Sequence, residues 1–168
     1  VTFHSGKALT SADVKSSLEA VVAEDSQSAR KSSFEVMDSI ETPDDAPTNG
    51  VVIAQGGRFG GWALYVTAGR VAFVYNLLGM QEFVIEADQE LSGGRRQIRA
   101  EFAYDGGGLA KGGTVTLYYD GNEVGHGRVE CTQPLIFSAD ETTDVGDDYG
   151  MPVSAHYRGA SRFNGKIE

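Results

Sequence analysis

The sequence predicts an all-β fold, an antiparallel two-sheet β-sandwich. Short apolar runs alternate with polar residues at a period of two, as strands with one buried face require. The glycine content is high, 22 of 168 residues against 4 prolines, and the glycines fall between those runs, where turns need them. No helical crossover separates the runs, so neighbouring strands connect antiparallel and must stack as two sheets over a shared core. The count is nine or ten strands in about 135 residues.

In chain order, Phe34, Val36 and Ile40 keep a two-residue period. The stretch from Glu41 to Gly50 holds two prolines and an Asn-Gly pair and reads as a turn. Val51–Gln55, Trp62–Val66, Val71–Leu78 and Phe83–Ala87 follow as strands, the middle two joined by a hairpin at Thr67-Ala68-Gly69-Arg70. Ile98–Tyr104 is the clearest strand, with Ile98, Ala100, Phe102 and Tyr104 on one face. Thr114–Tyr119 and Glu123–Glu130 flank the hairpin signal Asp120-Gly121-Asn122. Leu135–Ala139 and Phe163–Ile167 complete the set. The first 30 residues differ. Val14, Leu18, Val21 and Val22 have helical spacing behind Thr10 or Ser11 as a cap, which predicts one short peripheral helix. An extended arm starting at Phe3 is the rival. The expected organisation is an arm or helix over 1–30 and a sandwich domain over 31–168.

Composition narrows the function. The 14 Lys and Arg against 24 Asp and Glu leave a net charge of −10, which opposes nucleic-acid backbones and anionic membranes while allowing a local basic patch. No apolar run reaches the roughly 20 residues of a spanning helix. Cys131 is the only cysteine, so there is neither an intrachain disulfide nor a cysteine-rich zinc site. The chain begins at Val1 without a leader and reads as a piece of something longer.

Four constellations could carry chemistry. Asp140, Glu141, Asp144, Asp147 and Asp148 crowd five carboxylates into nine residues. Such a loop either binds a hard cation such as Ca²⁺ or caps its own turns with aspartates. It does not fit the EF-hand pattern, because Val145 and Met151 stand where glycine and glutamate belong. Glu86, Asp88 and Glu90 would share one strand face, the arrangement of paired acids in some glycoside hydrolases. Their spacers Ala87 and Gln89, and the Ser-Gly-Gly that follows, instead suggest a strand end entering a turn. Arg95 and Arg96, after Gly93-Gly94, form the best small-anion candidate, with a solvated basic turn near Glu90 as the alternative. Trp62, Tyr65, Tyr75, Tyr118 and Tyr119 could stack on sugars or fill the core. Alternation places Tyr118 and Tyr119 on opposite faces, so at least one of them should be exposed. Trp62 and Tyr118 are the aromatic ligand candidates. His4, His126 and His156 show no ligand spacing, and neither glycine-rich stretch, Gln55–Gly61 or Gly106–Gly113, is a phosphate loop.

Long blocks at Gly50–Tyr65, Gly69-Arg70, Tyr75-Asn76, Glu101–Tyr118 and Phe137–Gly146 resemble the C-terminal region of large bacterial arylsulfatases. The resemblance spans about Ser32 to Ile167. It implies a concanavalin-like or laminin-G-like jelly roll. It also implies a parent that hydrolyses sulfate esters through a formylglycine made in a C/S-x-P-x-R motif and a divalent cation, both in a catalytic domain N-terminal to this one. Cys131-Thr-Gln-Pro134-Leu135 has its proline one place late and no arginine after it, so no catalytic residue carries over. The expected role is a non-catalytic accessory domain whose partner is the arylsulfatase catalytic domain of the same parent chain, in a bacterial protein that is cytoplasmic or exported. That role is structural, or it is recognition of a glycan near the active site; the acidic charge favours the first. The alternatives are a free-standing Ca²⁺-dependent lectin-like module and a jelly-roll glycoside hydrolase acting through Glu86, Asp88 and Glu90.

Overall fold

A computed structural model describes residues 33–43, 46–134, 137, 141–157 and 161–168. The N-terminal helix or arm lies outside the described residues, as does the 135–139 strand apart from Phe137, which is in a bend. The strands are β1 (Ser33–Thr42), β2 (Gly50–Gly57), β3 (Gly60–Thr67), β4 (Arg70–Leu77), β5 (Gln81–Glu86), β6 (Gly94–Tyr104), β7 (Gly113–Tyr119), β8 (Asn122–Val129), β9 (Thr143–Val145) and β10 (Lys166–Ile167). They form two five-stranded sheets, ordered β10-β1-β6-β7-β8 and β5-β4-β3-β2-β9. No helix occurs among the described residues.

Both expected hairpins form. Ala68 and Gly69 have φ of 48° and 80°, and Asp120 and Gly121 have 46° and 81°. Two successive positive φ values match the twist of flanking strands, which closes each hairpin with two residues. Leu78 is expected in β4 but sits in the β4–β5 turn at φ 56°. The acidic stretch, expected as loop throughout, contributes β9, whose Val145 pairs with Ile53. The last strand is shorter than expected. Only Lys166 and Ile167 pair with β1, because Arg162 bridges to Val51 of the other sheet instead.

The two sheets differ in how many faces they bury. β7 alternates regularly, with Val115, Leu117 and Tyr119 inward and Thr114, Thr116 and Tyr118 outward. β3 and β4 are buried almost throughout. One face of β3 and β4, with Leu64 and Phe73 paired across the strands, has the opposing sheet to pack on. The other face, with Ala63, Tyr65, Ala72 and Val74, is covered by Val153 and Tyr157 of the segment after β9. The unbroken apolar runs Trp-Ala-Leu-Tyr-Val and Val-Ala-Phe-Val-Tyr are the sequence mark of a strand covered on both sides. At the flank, Gly125 and Gly127 let β5 lie directly on β8. A Cβ at Gly127 would meet Ile85 Cγ1 at 2.6 Å, and one at Gly125 would meet the Glu86 carbonyl at 2.7 Å.

Tyr119 ties the sheets together. Its buried hydroxyl accepts from Val71 N–H at 3.0 Å and donates to the Gln89 carbonyl at 3.1 Å. Burial pushes its ionisation upward. Tyr119→Phe strands the Val71 donor, and urea unfolding should show a loss of about 2 kcal/mol. A loss under about 0.5 kcal/mol, the size of an ordinary surface substitution, would show that the tie is dispensable.

Candidate functional site

β6 begins, β7 turns into β8, and the β5–β6 connection crosses at one end of the sandwich. These segments border an open depression of about 360 Å³. Its rim is polar: Gln89, Glu90, Ser92, Arg96, Asp120 and Asn122. Leu91, Tyr119 and Val124 add apolar surface. Asp120 organises the rim. One carboxylate oxygen accepts from Gln97 N–H at 2.9 Å, and the other meets Arg96 Nη1 at 3.1 Å. Arg96 Nε also donates to the Ser92 carbonyl at 3.3 Å. Glu90 reaches Arg70 at 3.6 Å. A mainly polar lining with a small apolar patch at Leu91 suits a polyhydroxylated ligand, whose hydroxyls can take up the hydrogen bonds.

The other expected residues are distributed differently. Arg95 points to the outer face of β6, where it pairs with Ser39 and Glu168. It does not join Arg96, because successive strand residues face opposite ways. Tyr118 is half-buried on that outer face; the Arg99 guanidinium lies 3.8 Å from its ring centroid. Its hydroxyl donates to Glu101 at 2.9 Å, which holds the phenol ionisation above its ordinary value. Trp62 is 6% exposed and stacked on Phe73 at 6.0 Å, so its ring serves the core. Tyr65 and Tyr75 are also buried, while Tyr118 and Tyr119 face opposite ways. β5 ends at Glu86; Asp88 lies in an exposed bend and Glu90 in the exposed connection that follows, so the three acids do not line one strand face.

Asp140 lies outside the described residues. The other four acids of that segment accept backbone donors: Glu141 from Met151, Asp144 from Tyr149, Asp147 from Asp148, and Asp148 from Val153. Among the described residues no three His, Cys, Asp or Glu side chains gather as metal ligands. Asp148 differs from its neighbours. It is 3% exposed and accepts the Tyr157 hydroxyl as well. Burial raises its pKa, the Tyr157 and Val153 donors lower it in part, and Asp144 and Glu141 add to the rise. Tyr157 is pushed far up in turn, by burial first and then by Asp148. Nearby, Ser154 Oγ donates to Glu82 at 2.9 Å and His156 Nε2 lies 3.2 Å from the same carboxylate. This polar cluster fastens the 147–157 segment over the small-residue face of β2, β3 and β4.

Of the residues lining this pocket, Arg96 stood out in the sequence as a ligand candidate, and Gln89, Ser92, Asp120 and Asn122 did not. Asp120 and Asn122 were already legible as turn residues. Nothing local tells a turn aspartate from one that also orients an arginine of another strand.

The fold has solved counterparts. Mouse laminin alpha1 chain, domains LG4-5, superposes with a TM-score of 0.50 at 20% identity, over 84% of this chain and 35% of that one. The CBM40 of a Ruminococcus gnavus IT-sialidase, bound to alpha2,3 sialyllactose, superposes at 0.52 and 16% identity, over 82% of this chain and 73% of that one. The chain thus spans about a third of the laminin fragment's length. The domain is a concanavalin-like or laminin-G-like jelly-roll sandwich. At such identities the likeness is one of fold. No family model matches the chain, and no curated protein matches it significantly. Nothing in these comparisons supports an arylsulfatase parent.

Proposed function

We propose that this is a non-catalytic accessory domain that recognises a neutral glycan unit in the pocket of Arg96, Asp120 and Asn122. The pocket carries the reading: a concave site with a polar rim and a small apolar patch, at a fixed place on a rigid sandwich. The same fold in the IT-sialidase CBM40 is bound to sialyllactose, so a glycan is a ligand this architecture accommodates elsewhere. Neutral sugar is preferred to sulfated sugar, because Asp120 already neutralises Arg96, Glu90 stands at the rim, and the chain carries −10 overall.

A glycan array followed by calorimetry tests this. Arg96→Ala and Asn122→Ala should each weaken the best ligand about tenfold or more, the loss of one or two good hydrogen bonds. Tyr118→Ala, on the outer face, should leave affinity unchanged. If Tyr118→Ala abolishes binding and the pocket variants do not, the outer sheet face is the site.

The arylsulfatase parent rests on the sequence blocks alone. A C/S-x-P-x-R motif upstream in the same reading frame would support it, and a frame without one would remove it. Ca²⁺ at the acidic segment would compete with the four backbone hydrogen bonds that Glu141, Asp144, Asp147 and Asp148 accept. A melting shift at millimolar Ca²⁺, reversed by a chelator, is its test.

A further inference from the structure

Two of the four asparagines in the chain precede glycine: Asn49 before Gly50, and Asn164 before Gly165. They are 115 positions apart and meet in the fold. Asn49 N–H donates to Asn164 Oδ1 at 2.8 Å, and Asn164 N–H donates to the Asn49 carbonyl at 3.0 Å. Both side-chain amides share one acceptor, the Pro47 carbonyl, at 2.9 Å from Asn49 and 3.0 Å from Asn164.

An asparagine before glycine can modify itself. The glycine nitrogen gives up its proton and attacks the asparagine Cγ. The N–Cγ bond forms, the Cγ–Nδ2 bond breaks, and Nδ2 leaves with that proton as ammonia. Water then opens the succinimide at one carbonyl or the other, giving aspartate or isoaspartate. Glycine permits the attack because it has no Cβ in the way and a freely rotating backbone.

The fold treats the two steps differently. Gly50 is buried, paired with Val66 of β3, and pressed on the Arg162 carbonyl and Phe163 Cα. Asn49 has a further tie, since its Oδ1 accepts Ala68 N–H at 2.8 Å. Its Cγ cannot turn onto the Gly50 nitrogen without disturbing the sheet. Asn164 is exposed in a bend, and both of its side-chain bonds are exposed, so water replaces them at little cost. Gly165 shares that bend and leads into β10, where only Lys166 and Ile167 pair with β1. A Cβ at Gly165 would lie 2.3 Å from the Glu41 carbonyl oxygen. The packing thus demands glycine at the position that makes Asn164 labile.

We propose that Asn164 is a self-modification site: its conversion to aspartate or isoaspartate, with Asn49 preserved, detaches β10 from β1. The new carboxylate turns an oxygen to the Pro47 carbonyl where Nδ2 had donated, so a hydrogen bond becomes a repulsion. In the isoaspartyl form the main chain runs through the former side chain and gains one methylene. Lys166 and Ile167 then lose register with Glu41 and Ile40, and Glu168 N–H loses the Ser39 carbonyl.

The test ages the 168-residue chain in mildly alkaline buffer, folded and in urea. Trypsin releases residues 163–166 and 32–58 as separate peptides, so mass spectrometry reads the amide-to-acid change at each asparagine. Labelling by an isoaspartyl methyltransferase reads the isoaspartyl share. In urea both asparagines should convert at similar rates. In the folded chain Asn164 should convert at least about tenfold faster than Asn49, the ratio of their local openings. Hydrogen exchange at the Glu168 amide should be about tenfold faster in the aged chain than in the fresh one. Asn164→Gln, whose longer side chain does not close the five-membered ring, should keep the fresh rate throughout. If folding suppresses conversion at Asn164 as strongly as at Asn49, the site is overturned. Conversion without faster exchange at Glu168 overturns the detachment.

Discussion

Replacing Gly50 by alanine should destabilise the domain by about 4 kcal/mol, more than the same replacement at Gly121. Gly50 opens β2 with φ at 112°, outside every region alanine favours. A Cβ there would lie 2.4 Å from the Arg162 carbonyl oxygen and 2.4 Å from Phe163 Cα. Both obstacles are backbone, and neighbouring bonds hold that backbone. Val51 N–H donates to the Ser161 carbonyl at 2.7 Å, Phe163 N–H to Gly146 at 2.8 Å, and Asn164 N–H to Asn49 at 3.0 Å. The C-terminal segment would have to leave β2, which puts the expected loss at the upper end for single substitutions. Gly121→Ala isolates the conformational part. Its φ is 81°, and no atom lies within 4 Å of the added Cβ, so it should cost about 1 kcal/mol. Circular-dichroism melting of the two variants checks the contrast. Equal losses would show that steric contact with 162–163 is not what the glycine serves.

Asp148→Ala should cost about 3 kcal/mol, because it leaves Val153 N–H and the Tyr157 hydroxyl facing each other without their shared acceptor. For a domain of this size that is about 10 °C in melting temperature. Val153 and Tyr157 cover the small-residue face of the inner sheet, so the loss should loosen the whole 147–157 segment. Tryptic cleavage at Arg162 should accelerate together with the fall in stability. The same carboxyl has a pH signature. Its pKa in the folded protein is raised above the ordinary 3.8, so the folded state holds the proton more tightly than the unfolded chain. The stabilisation from the protonated form is complete below 3.8 and is lost as pH rises through the raised folded value. Asp148→Asn lacks this titration. Wild-type stability minus that of Asp148→Asn should therefore increase on acidification from pH 7 to 4, measured by urea unfolding. A difference that shrinks would mean that the Tyr157 and Val153 donors outweigh burial and hold the carboxylate charged.

Some of the candidate site was legible in the residues. Asp120-Gly121 demanded a tight hairpin, but Arg95 and Arg96 read as one basic turn; only the extension of β6 back to Gly94 sends them to opposite faces. The period of two separated Tyr118 from Tyr119. Trp62 was ambiguous, since an indole serves a core or a sugar equally well; what decided it was Phe73 on the neighbouring strand. Among the crowded acids, composition showed mutual repulsion and nothing more. Which of them is buried depended on Tyr157, nine residues on, folding back over Asp148.

The sequence by itself determined the all-β class, most strand positions, both two-residue hairpins and the direction in which the side chains of Ile98–Tyr104 and of β7 point. Each of these follows from local rules: backbone sterics at positive φ and the twofold repeat of a pleated strand. The tertiary structure alone decided the strand order of the sheets, the covering of β3 and β4 by the 147–157 segment, and the pocket around Arg96. Those depend on contacts between residues far apart in the chain, whose energies come from shared burial and paired polar groups. No short stretch of sequence contains both partners of such a contact.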